Sequence, residues 1–422
     1  MRARNKPIFL ICHMVPYPPA SGIQLRIYRL LQWMQKAGYR VVLVVASEFK
    51  NREAVTELRR VTYALHWTKP AYWRRTPWRT RLGRQFPTLR KVVWETIKPR
   101  LQRIRGEVGP QSQAASDRQR REDIHEYFIS DKLIKTVARL ARRYQPHAVI
   151  AEYIFATPLF EVFPPGTLKL VDTIDVFSLK EHQVLAFGIT DFLASSEEEE
   201  RQYLLKADVV VAIQSREAAL LRAIVPEREV ILAGVDFDVV GDLRADSIIP
   251  LSIAIVASDN PLNVHGLREF LAECWPAIKS TCPGASLHVV GLVGSMCRVE
   301  DSSIRYSGWV ADLDAVYREA AVVINPAMAG TGLKIKSVEA LAHGKPLVAW
   351  TNGVDGLKYE GDPPFIECRS WEQYRDAIIA LLTSDTKRIA LAERALDYAR
   401  VEFEASVVYA ELRKHLGEPD RA

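Results

Sequence analysis

Short, almost unbroken apolar runs alternate with helix-length amphipathic stretches through both halves of this 422-residue chain. In the first half the runs fall at residues 8–13, 40–46, 148–153, 168–175, 208–213 and 229–234. In the second they fall at 253–257, 287–291, 304–310, 321–326, 346–350 and 364–367. A strand with one wet face alternates polar and apolar residues; a continuous apolar run marks a strand covered on both faces, as in a parallel sheet between helix layers. Strands followed in turn by helical patterns predict two doubly wound α/β domains. Length agrees, since one core rarely organises more than about 200 residues. The expected division is a first domain at 1–235, a polar linker at 236–250, and a second domain at 251–384. Ser370 and Gln373 have the spacing of a capping box opening a helix that ends near Leu382. A helical stretch at 385–422 has no strand after it and is expected to cross back and brace the first domain. Two such domains facing a cleft place a ligand at the carboxyl ends of the strands, where strand order reverses.

Composition narrows the class. Hydrophobic residues are 48% and charged residues 26% of the chain, which excludes a wholly disordered polymer. The five cysteines are scattered without a C-x-x-C pair, so neither a disulfide framework nor a metal cluster is expected. No cofactor is expected. No apolar run approaches the roughly 20 residues that span a bilayer. Arg2, Arg4 and Lys6 before the apolar residues 8–12 imitate a secretory leader, but the run is short and meets His13 and Pro16. A cytoplasmic protein is the expectation.

Residues 330–340 read G-T-G-L-K-I-K-S-V-E-A and carry most of the chemical information. Gly330, Thr331 and Gly332 form a small-residue loop between a strand ending at Pro326 and a helix expected to open near Leu333. Such a loop offers backbone N–H groups and a helix N-terminus, which suit a diphosphate. Lys334 and Lys336 stand at that terminus, where cations are unfavourable unless an anion accompanies them. Glu339, one turn on, can face the same cleft. A glycine loop alone is a weak signal, equally consistent with a plain turn beside a solvated basic face. Its context sharpens it, because Gly308, Trp309 and Val310 follow a strand upstream. Trp309 reads equally as a core aromatic.

Between residues 253 and 357 this order and spacing resemble the donor-binding half of family 4 of the nucleotide-sugar glycosyltransferases, which have the GT-B fold. The resemblance implies a donor site built from Gly22, Trp309, Val310, Gly330, Thr331, Gly332, Leu333, Lys334, Lys336 and Glu339. Trp309 and Val310 would seat the nucleobase, Glu339 would hold the ribose hydroxyls, and Gly22, at the start of the first helix, would approach the phosphates. The sequence departs from the family in three places. Thr331 stands where the first glutamate of a paired signature meets the donor sugar. Asp259 and His265 occupy the places of an Arg and a Lys that grip the pyrophosphate, so Lys334 and Lys336 are the expected substitutes. In V-D-T-I-D-V, Ile174 replaces a histidine at the reaction centre, leaving Asp172 and Asp175 as polar groups. Lys336, Glu339 and Asp175 are the expected catalytic residues, with His13 and Glu152 on the acceptor side. His13 and His182 read equally as structural histidines, and Asp175 as a capping or ion-pairing group. Glu197 to Glu200 follow Ser195 and Ser196 and suit a helix N-terminus.

Between Lys69 and Arg105 twelve Lys or Arg stand against one Glu, a net +11 where the whole chain carries +6. Apolar residues recur every three or four positions across the amphipathic stretch within 69–121, and Arg84, Lys91, Lys98 and Arg105 line one stripe. Trp67, Trp73, Trp78 and Trp94 lie in or beside it, four of nine tryptophans. This pattern suits an anionic membrane surface, on the inner face of the membrane, or a merely solvated helix. No nucleic-acid module accompanies the charge, so nucleic acid is not an expected partner. The resemblance implies a retaining, metal-independent glycosyltransferase that moves a sugar from a nucleoside diphosphate to a hydroxyl of a glycan or lipid-linked acceptor, in polysaccharide or glycolipid assembly. The alternative is a non-catalytic nucleotide-sugar binder or membrane scaffold of the same fold; an epimerase is a remoter one.

Overall fold

The computed structural model describes residues 6–68, 124, 127–186, 193, 195–239 and 247–419. Two parallel sheets organise it. The first contains β1 (Ile8–Cys12), β2 (Val41–Val45), β3 (Ala64–Trp67), β4 (Ala148–Glu152), β5 (Leu168–Asp172), β6 (Val209–Ala212) and β7 (Glu229–Leu232), in the order β3-β2-β1-β4-β5-β6-β7. The second contains β8 (Ser252–Val256), β9 (Ser286–Val290), β10 (Ile304–Ser307), β11 (Val322–Asn325), β12 (Leu347–Trp350) and β13 (Ile366–Cys368), in the order β10-β9-β8-β11-β12-β13. Strand order reverses between β1 and β4 and between β8 and β11, and ligands of such sheets sit at those crevices.

The apolar runs behave as their composition requires. Phe9 and Ile11 of β1 enter the core on one face, while Ile8, Leu10 and Cys12 enter another core on the opposite face. The second sheet is covered on both faces in the same way. All five cysteines are buried and unpaired.

Several boundaries differ from expectation. β3 was not anticipated, because Ala-Leu-His-Trp is a half-exposed edge strand with no continuous apolar run. The run at 168–175 leaves the sheet after Asp172: Ile174 adopts φ 64° and the Asp175 N–H bonds the Thr173 carbonyl at 2.7 Å. That turn swings Asp175 away from the sheet. The run at 304–310 stops as a strand at Ser307. Ser370 caps its helix, but the Gln373 side chain accepts from the N–H of Arg369 rather than closing the box at Ser370.

The stretch after 384 is three helices, not one: Asp385–Glu402, Ala405–Val408 and Ala410–Leu416. The first buries Ala395 and Ala399 in the second domain's core. Only the chain beyond Glu404 reaches the first domain, where Tyr409, Leu412 and Leu416 are buried. There Tyr409 stacks on Trp33 with ring centroids 4.4 Å apart and donates to Asp236 at 2.8 Å. Among the described residues no helix is long and apolar enough to cross a membrane. Arg84, Lys91, Lys98 and Arg105 lie outside the described residues.

Candidate functional site between the two domains

At the first crevice, His13 follows β1 and Glu152 ends β4. His13 Nδ1 lies 3.2 Å from Glu152 Oε2, which also accepts the His13 backbone N–H at 3.3 Å. The ring contact is poorly aligned as a hydrogen bond, and Glu152 Oε1 has no partner among the described residues. Tyr153 and Phe128 pack about the imidazole at centroid distances of 5.0 and 4.9 Å. Asp172, opposite Glu152 in the register, grips the buried Arg26 in a two-pronged pair at 2.9 and 2.7 Å. Arg26 projects from the helix Gly22–Lys36, so this pair ties that helix to β5. Gly22 opens the helix after the Ser21 cap, and a Cβ there would come within 3.1 Å of Ile335 in the second domain.

At the second crevice, the chain leaves β11 through Asn325, whose amide bonds Ser337 Oγ at 2.8 Å and the Gly353 carbonyl at 3.3 Å. Alongside, the helix Pro261–Glu273 approaches so closely that a Cβ on Gly266 would lie 2.3 Å from the Pro326 carbonyl oxygen. The helix after the loop runs Ile335–Ala342, two residues later than expected, with Lys334 at its N-cap position.

The two lysines differ. Lys334 Nζ turns back and donates to the carbonyls of Gly330, Thr331 and Gly332 at 3.0, 3.0 and 3.1 Å, bracing its own loop. Burial holds its pKa below the usual lysine value, against the opposing pull of Asp175 and Glu217. Lys336 Nζ reaches only a neutral amide, Asn263 Oδ1, at 2.5 Å. Burial and the charge of Lys334 push its pKa down to about 7. No salt bridge to Lys336 occurs among the described residues.

The first domain supplies acceptors to three successive loop residues. Gly330 N–H donates to Gln183 Oε1 at 2.8 Å, Thr331 Oγ1 to Asp175 Oδ1 at 3.0 Å, and Gly332 N–H to Glu217 Oε1 at 2.5 Å. Gly332 has φ 75°, and a Cβ on it would meet Asp175 Oδ1 at 2.7 Å, so this closure requires glycine. Asp175 also faces Lys180 Nζ at 3.5 Å. Glu217 is 1% exposed with Oε2 unpartnered among the described residues, and burial, reinforced by Asp175, raises its pKa to about 8. Glu217, Gln183 and Asn263 were not singled out from sequence. Their signals are faint: Glu217 reads as an ordinary first-turn acid of Ser215–Ile224, and Asn263 as a polar residue one turn before Gly266.

The remaining positions fall into place around the loop. Glu339 sits one turn into Ile335–Ala342 and accepts the Tyr317 hydroxyl at 2.9 Å; burial raises its pKa. Trp309 is 62% exposed and therefore no core aromatic, while Val310 and Leu333 pack against the second domain's core. Of the acids at 197–200, Glu199 completes a capping box with Ser196, and Glu200 is buried, accepting the N–H groups of Phe177 and Ser178.

Residues 251–384 match the family model of the glycosyl transferases group 1. No curated protein matches the chain by sequence. Solved structures share its fold over nearly their whole lengths. A sucrose-phosphate synthase from Thermosynechococcus elongatus has TM-score 0.66 at 14% identity, covering 97% of this chain and 98% of that one. HepE from Anabaena, solved with UDP and glucose, has TM-score 0.64 at 15% identity, covering 98% and 99%. A TarM variant of S. aureus, solved with fondaparinux, alpha-GlcNAc-glycerol and UDP, has TM-score 0.66 at 10% identity, covering 98% and 100%. The chain therefore has the two-domain GT-B fold, and its second domain is similar to the glycosyl transferases group 1.

Proposed function

We propose that the protein transfers a sugar from a nucleoside diphosphate donor to a hydroxyl acceptor, with retention and without a metal. The observation that carries this is Lys336: a half-buried ammonium with, among the described residues, only an amide oxygen for company, beside the N-terminus of Ile335–Ala342. A buried cation without a countercharge is poorly placed until an anion arrives, and perturbed cations of this kind cluster at functional sites. A diphosphate there restores the charge balance, and the same ammonium stabilises the diphosphate as it departs from the anomeric carbon. Lys334 acts by holding the loop, and Glu339 by accepting from the ribose. Exposed Trp309 offers a face to the nucleobase. Captures of HepE and TarM with UDP support a nucleoside diphosphate as the donor's leaving group.

On the acceptor side, His13 and Glu152 lie at the carboxyl ends of β1 and β4, and Glu152 Oε1 is free to accept from a hydroxyl. The acceptor class is a glycan or lipid-linked hydroxyl, within polysaccharide or glycolipid assembly. Peripheral attachment to the inner face of the membrane rests on the sequence stripe of Arg84, Lys91, Lys98 and Arg105 alone; sedimentation with anionic vesicles tests it. A non-catalytic binder is the second reading, favoured by one observation: Ile174 is apolar and 4% exposed at the place of the family's reaction-centre histidine. Release of nucleoside diphosphate from a panel of nucleotide sugars separates the two. Turnover that survives chelator and yields the retained anomer upholds the proposal, whereas binding without turnover favours the second reading.

A further inference from the structure

We propose that Tyr317 is a positioning residue that aims the Glu339 carboxylate at the donor's ribose. The inference rests on the transferase reading, in which Glu339 meets the nucleotide. Tyr317 lies in the helix Leu313–Glu319 and is wholly buried. Its hydroxyl donates to Glu339 Oε2 at 2.9 Å, while Oε1 makes no hydrogen bond among the described residues. The ring is fixed as well. His343, one helical turn after Glu339, stacks on Tyr317 with centroids 4.5 Å apart and planes inclined by 26°. His343 Nδ1 meets the Glu339 carbonyl at 2.8 Å, and Nε2 meets Asp314 Oδ1 at 2.9 Å.

Asp314 and Tyr317 share one helix, and Glu339 and His343 flank the end of another. Side-chain contacts, one backbone carbonyl and the shared helix therefore link the four residues in a ring between two helices. A glutamate turning freely about its side-chain bonds would present either oxygen in many directions. Here one oxygen is engaged from behind, so the other is offered in a single direction, with two lone pairs suited to the paired hydroxyls of a ribose. Tyr317 also favours the ionised, acceptor-only form of Glu339 against the burial that opposes it.

The test compares UDP, GDP and ADP with their 2′,3′-dideoxy counterparts by calorimetry, on wild type, Tyr317→Phe and Glu339→Gln. Tyr317→Phe keeps the ring on His343 and removes only the hydroxyl. The expected result is a wild-type preference for the ribonucleotide of tenfold or more, falling to within about threefold of unity in both variants. Affinity for the dideoxy form and the thermal midpoint should stay near wild type. A preference retained in Tyr317→Phe, an equal loss for both nucleotides, or no preference in wild type overturns the inference while leaving nucleotide binding intact. If no nucleoside diphosphate binds wild type, the transferase reading and this inference fall together.

Discussion

At the crossover of the first sheet, the guanidinium of Arg26 lies 2.7 Å from Asp172 in a buried pair that fills both partners. At the crossover of the second, the half-buried ammonium of Lys336 meets, among the described residues, a single amide oxygen. The two crevices are topological equivalents, yet this pair has settled its charge internally and Lys336 has not. A buried pair with good geometry is self-sufficient and ties elements together, whereas a buried charge without a countercharge is costly and signals an absent partner. Arg26–Asp172 therefore reads as structure, and Lys336 as the place where the donor's diphosphate completes the protein.

Breaking the settled pair should have the largest effect. Asp172→Ala leaves Arg26 buried without its carboxylate and is expected to cost about 3–5 kcal/mol in urea unfolding. A loss below about 1 kcal/mol would mean the first crevice is not closed by this pair. Lys336→Ala should do the converse, leaving unfolding little changed while transfer falls about 10²–10³-fold, equivalent to about 3–4 kcal/mol. Equal damage to stability and activity would erase the distinction between the two crevices.

Glu217 sharpens the comparison from the other side, as a buried acid pressed against the loop. Its pKa is raised to about 8, so the folded state holds its proton through a range where the unfolded chain has lost it. Its contribution to stability therefore falls as pH rises from the ordinary glutamate range towards 8. Glu217→Gln keeps an acceptor for the Gly332 N–H and removes that titration. The variant should gain on wild type by on the order of 2 kcal/mol between pH 5 and 8, seen as diverging unfolding midpoints. Parallel curves would show that Glu217 ionises freely.

The last predicted effect is a slope. With the Lys336 pKa at about 7, nucleoside diphosphate affinity should weaken as pH rises from 7 to 9, by up to about tenfold per unit. Ionisation of Glu217 acts in the same direction within this window. Lys336→Arg, which stays charged, should flatten the lysine part, and Glu217→Gln the remainder; a slope indifferent to both would place the anion elsewhere.

The fold was legible because runs such as Val41–Val45 are continuous and covered on both faces. β3 escaped because an edge strand with Ala64, Leu65 and His66 half-buried carries no such run. Within the site, Gly330 to Lys336 were legible because small residues and lysines at a strand–helix junction are chemically conspicuous at close spacing. Glu217 and Gln183 were not, since each meets the loop from more than a hundred residues away and across the domain boundary. Local pattern reports what a segment forms; it does not report what faces it from the other domain. The same limit hid the bracing role of Lys334, whose three carbonyl partners depend on how the loop folds back.

The most direct measurement is calorimetric titration of nucleoside diphosphates at pH 8 in buffers of different ionisation enthalpy, which counts protons taken up on binding. The account predicts that one nucleotide binds with uptake approaching one proton, because Lys336, mostly neutral at that pH, is recharged by the diphosphate. Uptake should fall in Lys336→Met to the part that Glu217 supplies, and vanish when Glu217→Gln is added, with weaker binding. Absence of binding by UDP, GDP and ADP, or uptake unchanged in Lys336→Met, would contradict the claim that the second crevice is completed by a diphosphate at Lys336.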